Sequence, residues 1–138
     1  MTNNERAKSC EQRIDAELKD RLNDLRRLWA AFIAGREDDD LGSLSDYGLC
    51  FGYVSPGTFD EQDEAYYRYQ LSWGGPSDEF RFFVNPDLSC HRIEYWFLDW
   101  FDGAYRVLTA ESRQLMLDLW DWFRETGLAR TAFEGAAL

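Results

Sequence analysis

Residues 66–98 read YYRYQLSWGGPSDEFRFFVNPDLSCHRIEYWFL, and their period is two. Tyr67, Tyr69, Leu71 and Trp73 alternate with Tyr66, Arg68, Gln70 and Ser72, and Phe80, Phe82 and Val84 alternate with Arg81 and Phe83. Cys90, Arg92, Glu94, Trp96 and Leu98 alternate with His91, Ile93, Tyr95 and Phe97. Successive strand residues point to opposite faces, so these are three strands, separated by the turn-forming stretches GGPSD and NPDLS. The phase puts Tyr67, Tyr69, Leu71, Phe80, Phe82, Ile93, Tyr95 and Phe97 on one apolar face. Arg68, Gln70, Arg81, Phe83, Arg92, Glu94 and Trp96 fall on the other. Guanidinium groups stack on rings and pair bidentately with carboxylates, so this second face reads either as a partner-binding surface or as an exposed face knitted by cross-strand pairs.

Upstream, Tyr47, Leu49, Phe51 and Tyr53 alternate with Gly48, Cys50, Gly52 and Val54, which predicts a further strand before the long acidic turn SPGTFDEQDE. Downstream, Asp99 to Gly103 reads as a turn, or as a strand continued past a bulge. Short strands with short connections predict a four-stranded antiparallel meander over residues 47–108. A helix from about residue 5 to 34 precedes it, with Ile14, Leu18, Leu22, Leu25, Leu28, Trp29 and Phe32 in one stripe and Gly35 as its stop. At roughly 1.5 Å per residue it reaches about 45 Å. Its N-terminal third, anchored only by Ala7 and Cys10, is expected to fray or project. The stripe suits packing on the sheet, and a homodimer through this helix is left open. Residues 37–46, beginning Glu37-Asp38-Asp39-Asp40, read as an acidic linker. After Thr109 as N-cap a second helix carries Leu115, Met116, Leu119, Trp122 and Phe123 inward, and Gly127 ends it before a weak tail of one more helical turn. The reading is a single α+β domain over residues 1–138, with the helices on one sheet face.

Charge separates the chain into two parts. Residues 1–36 hold 8 Lys and Arg against 6 Asp and Glu, a net of +2, whereas residues 37–138 hold 7 against 20, a net of −13. An acidic body of this kind disfavours phosphate-backbone binding and is steered toward basic surfaces. The N-terminus lacks an apolar run, and no stretch approaches a membrane span, so the expected setting is cytoplasmic. Cys10, Cys50 and Cys90, odd in number and widely spaced, are expected as free thiols.

Catalytic signatures are missing from the sequence. His91 is the only histidine, which excludes a His-pair metal site, and the adjacent Cys90 points to the opposite strand face. The Gly74-Gly75 turn lacks the lysine and following helix of a phosphate loop, and the acids at 37–40 lack the spacing of a calcium loop. Acid pairs such as Asp78/Glu79 and Asp99/Asp102 specify no pocket. No catalytic residue, cofactor or metal is nominated, and the chain is read as a non-enzyme.

The span LSWGGPSDEFRFFVNPDLSCHRIEYWFLDWFDGA, residues 71–104, resembles a family of small acidic proteins of unknown function carried on plasmids, integrative conjugative elements and prophages. The resemblance covers about a quarter of the chain and brings no catalytic residue with it. It implies a mobile-element setting, in which small acidic proteins include inhibitors of host defence complexes such as restriction or CRISPR systems, some acting as DNA mimics. The expected activity is therefore binding of another protein with a basic surface. In the mimic version Glu37, Asp38, Asp39, Asp40, Asp60, Glu61, Asp63, Glu64, Asp118 and Asp121 supply a phosphate-like field. In the alternative, an immunity or accessory protein neutralises a toxin through Arg68, Arg81, Phe83, Arg92, Glu94 and Trp96.

Overall fold

The computed structural model describes residues 8–136. The elements are α1 (Cys10–Ile33), α2 (Leu44–Tyr47), β1 (Cys50–Val54), β2 (Tyr66–Ser72), β3 (Ser77–Val84), β4 (Cys90–Asp99), β5 (Asp102–Val107), α3 (Ala110–Glu125) and α4 (Leu128–Ala136). All strand pairs are antiparallel, and the sheet order is β1-β2-β3-β4-β5. The meander therefore has five strands where the periodicity predicted four. The extra one follows a two-residue turn at Trp100 and Phe101, with Asp99 paired to Asp102 across it.

The helix layer covers one face only. Phe51, Tyr67, Tyr69, Phe82, Trp120 and Phe123 form an aromatic cluster between sheet and α3, with centroid spacings from 4.2 Å for Phe51–Phe123 to 6.4 Å for Phe51–Trp120. The inner stripe of α3 is Leu115, Met116, Leu119, Trp120 and Phe123. Trp122, expected among them, is half-buried against Phe32 instead, and Trp120 takes the central place. Its indole N–H donates to the Leu88 carbonyl at 2.9 Å, which holds the β3–β4 turn down on the core. The tail beyond Gly127 is longer than the single turn expected, a nine-residue helix whose Phe133 meets Tyr53 of β1 at 5.1 Å.

Helix α1 lies across β4 and β5. It begins at Cys10, later than the expected residue 5, because Ser9 and Gln12 form a reciprocal cap; residues 5–7 of the expected span lie outside the described residues. The described N-terminal turns do not project. Cys10 and Ile14 are buried, the Cys10 N–H donates to the Asp102 carboxylate at 2.8 Å, and Arg13 pairs with Asp99 at 2.7 Å. Of the apolar stripe Ile14, Leu22, Leu25 and Leu28 are buried in the core, while Phe32 at its end stays exposed beside Trp122.

One buried network fastens α1 to the start of the central strand β3. The Asp78 carboxylate accepts from Arg21 Nε at 2.7 Å and from Arg21 Nη2 at 3.0 Å. Tyr95 Oη donates to it at 2.7 Å, and the Ser72 hydroxyl donates to its other oxygen. Burial and the Asp78 contact push the Tyr95 hydroxyl far above its ordinary titration range. A bidentate, fully hydrogen-bonded pair is the geometry in which a buried charge is tolerated. This fixes Asp78 as structural and separates it from Glu79, which points to the other face.

The acidic 37–46 stretch, exposed at Glu37, Asp39, Asp40, Ser45 and Asp46, has a fixed local structure. Asp38 accepts backbone N–H groups from Asp40 and Leu41, both at 3.0 Å, and pairs with Arg27 at 2.9 Å. Those three contacts hold its carboxyl below the usual range. The chain then makes the single turn of α2, where Tyr47 donates to Asp24 at 2.7 Å and accepts from Arg21 at 3.0 Å. Tyr47 therefore does not begin the first strand, which starts at Cys50.

Candidate functional site: the second sheet face and the hairpin tips

Cross-strand register arranges the second face in rows. Cys50, Gln70, Glu79, Trp96 and Tyr105 make one row; Gly52, Arg68, Arg81, Glu94 and Val107 make the next. Tyr66, Phe83 and Arg92 belong to the third, with Val54 opposite Tyr66. The Arg81 guanidinium sits between two rings, 3.9 Å from the Trp96 centroid and 4.6 Å from that of Tyr66, and it pairs with Glu79 at 2.8 Å. Trp96 in turn stacks on Tyr105 at 4.7 Å with 14° between the planes. The result is a continuous ladder, Tyr66–Arg81–Trp96–Tyr105. Beside it Arg92 lies 4.0 Å over Phe83 and bridges Glu94 at 3.1 Å and Glu64 at 2.8 Å. Glu94 also accepts from Trp96 Nε1 at 2.9 Å.

Most of the sequence-nominated groups here already have partners within the chain. Phe83 and Glu94 are buried, Arg68, Arg81, Arg92 and Trp96 are half-buried, and the face is in part covered. The cover is the β1–β2 connection, residues 55–65. Gln62 folds it: its side chain donates to the carbonyls of Ser55 at 3.0 Å and Glu64 at 2.7 Å and accepts from the Phe59 N–H at 3.1 Å. Between this loop and the ladder lies a cleft of about 360 Å³, floored by Tyr66, Phe83 and Trp96 and rimmed by Asp60, Glu61, Asp63 and Glu64.

The acids named for a phosphate-like field are not brought together. Asp60 to Glu64 lie over the second face. Glu37 to Asp40 belong to the helix layer, where Arg27 takes Asp38 and also Asp40 at 3.1 Å, leaving Glu37 and Asp39 without ion pairs among the described residues. Asp118 accepts from Gln114 at 3.0 Å and Asp121 lies 3.6 Å from Arg124, both on α3.

A feature that sequence reasoning passed over stands at one end of the sheet. The β2–β3 turn and the β4–β5 turn lie side by side, with Ser77 paired to Leu98, and the Trp100 indole lies over Gly75, 3.6 Å from where a β-carbon would stand. Trp73, Trp100 and Phe101 are 78%, 84% and 105% exposed. Trp100 holds φ at +56°, a conformation that two-residue hairpin turns ordinarily give to Asn or Gly. Gly74, at φ +125°, shows the usual solution in the neighbouring turn. The turn expected over Asp99 to Gly103 is made by Trp100 and Phe101, inside that span, although neither residue is a turn former.

Among the described residues no group of three or more His, Cys, Asp or Glu side chains has metal-binding geometry, and no helix is long and apolar enough to cross a membrane. Cys10, Cys50 and Cys90 are all unbridged, and burial pushes the Cys90 thiol up to about 11. No family model, curated protein or solved structure matches this chain.

Proposed function

We propose that the protein is a non-enzymatic, acidic binding module that docks on a basic surface of another protein, with the paired hairpin tips as its apolar anchor. The observation that carries this reading is the exposure of Trp73, Trp100 and Phe101 together on two adjacent turns. Each such side chain has on the order of 150–250 Å² to bury, and tryptophan is the residue type most enriched where interfaces concentrate their binding energy. Folding gains nothing from exposing them, and the positive φ at Trp100 adds a local cost, so their use lies outside the chain. The net charge of −13 over residues 37–138 sets the sign of the partner. Glu37 and Asp39 in the helix layer, with Asp60, Glu61 and Asp63 on the loop, supply a field that raises the encounter rate.

In the mobile-element setting implied by the resemblance, the partner class is a host defence complex whose nucleic-acid-binding surface is basic. The test is affinity capture from host extract at low and high salt, comparing the wild type with Trp73→Ser/Trp100→Ser/Phe101→Ser. Wild type should retain one partner at low salt and lose most of it at high salt, and the triple variant should lose it at both. Equal capture by the triple variant, or indifference to salt, sinks the proposal.

A further inference from the structure

We propose that the loop-covered cleft of the second face is a receptor for a single guanidinium or ammonium side chain presented by the partner protein. This rests on the docking reading above and names the group the partner inserts. Three observations combine. Asp60, Glu61 and Asp63 rim the cleft and have no ion pair among the described residues, whereas Glu64 and Glu94 are already bridged by Arg92. The floor is aromatic and already holds one guanidinium, that of Arg81 between Tyr66 and Trp96. Tyr66, which lines the cleft and is 1% exposed, has a buried hydroxyl with no hydrogen-bond partner.

An unpaired buried hydroxyl is costly, and a donor that reaches it from the cleft would satisfy it. A cation brings such donors, meets the three carboxylates of Asp60, Glu61 and Asp63 that Arg92 does not bridge, and has the half-exposed ring of Phe59 to lie against. An anion would face the same carboxylates and is excluded by charge. The cleft, about 360 Å³, is at the small end of the range for ligand sites and suits one long side chain better than a folded element. Cation–π contact with a few exposed carboxylates places the isolated interaction at roughly millimolar Kd.

The experiment follows amide and indole N–H resonances of the full chain while acetyl-Gly-Arg-Gly-amide is added, with the lysine and citrulline peptides and spermidine in parallel. Saturable shifts at the Trp96 indole and at residues 60–64 are expected for arginine and lysine, with citrulline inert. Asp60→Asn/Asp63→Asn should weaken the arginine peptide about tenfold, and Tyr66→Phe about threefold. Shifts that map elsewhere, an equal response to citrulline, or undiminished binding by the double variant overturns the proposal. Tighter binding of spermidine than of either peptide overturns the assignment to a protein side chain. The hairpin-tip variant keeps the cleft intact, so loss of partner capture there with peptide binding preserved separates the docking reading from this one.

Discussion

On the helix-covered face Phe80, Phe82, Ile93 and Tyr95 lose all contact with solvent, whereas their neighbours Arg81, Arg92 and Trp96, on the opposite face, keep part of theirs. Both faces come from the same alternation in the same strands. The covered face is held by apolar burial, at about 25 cal/mol per Å², and by one buried ion-pair network at the start of its central strand. The other is held edge to edge: ring on guanidinium, guanidinium on ring, ring on ring. Burial is indifferent to direction, so helices can cover the first face. Stacking and pairing are directional, so the second face needs only a loop for its roof and keeps a cleft beneath it.

The largest effect that would break this comparison is expected at Arg21. Arg21→Ala leaves the Asp78 carboxylate buried with only Tyr95 and Ser72 as donors. Removing one partner of a buried pair costs about 3–5 kcal/mol, to be read from urea unfolding. A loss below about 1 kcal/mol would mean that water reaches Asp78 and that the covered face is not dry.

A second expectation concerns alkaline pH. Burial pushes the Cys90 thiol from 9.0 to about 11, and burial beside Asp24 outweighs Arg21 to push Tyr47 from 10.0 to about 12. A group that holds its proton more tightly when folded stabilises fully below its ordinary pKa. That stabilisation is lost as pH rises through the folded value. Unfolding by base should therefore set in between about pH 9 and 12. Cys50, exposed on β1, should react with a thiol reagent well before Cys90, and simultaneous modification would show that the core face opens early.

The phase of both faces was legible in the sequence, because an alternation of Arg, Phe, Glu and Trp over three strands leaves one register in which the apolar set is buried. Arg68, Arg81, Arg92 and Trp96 were therefore placed on their correct face. Their state of burial was not legible, since it depends on the 55–65 loop, and nothing in SPGTFDEQDE announces that Gln62 will close it through three hydrogen bonds. The fifth strand was not counted because Asp99 to Gly103 was read as a turn or as a bulge in one continued strand, with no separate strand assigned beyond it. Asp102 and Gly103, read as part of that turn, open β5 instead: one pairs with Asp99 and reaches over to cap α1, and the other pairs with Leu98. One member of the inner stripe of α3 was misassigned, Trp122 for Trp120 two residues before it, because both are apolar and only packing against Phe82 and Tyr67 distinguishes them.

A smaller effect sharpens the account of the open face. Tyr105 is exposed on edge strand β5 and touches the ladder only through Trp96. Tyr105→Ala should cost about 1 kcal/mol, the value of one aromatic pair beyond its area. It should also shift the Trp96 indole resonance. No change in either would mean that the ladder ends at Trp96.

The smallest effect is of opposite sign. Trp100→Gly relieves the positive φ at the hairpin tip but gives up the contact with Gly75, for a net gain of about 0.5–1 kcal/mol in unfolding free energy. The same change removes one of three exposed rings, so partner capture should weaken while thermal stability rises. A residue retained against its own folding preference fits use in binding, in the way that functional sites commonly trade stability. If Trp100→Gly destabilises the chain instead, the indole is a packing element of the two turns, and the tips are an end of the core rather than an anchor for a partner. Stability and capture moving in opposite directions is the result that the docking reading requires.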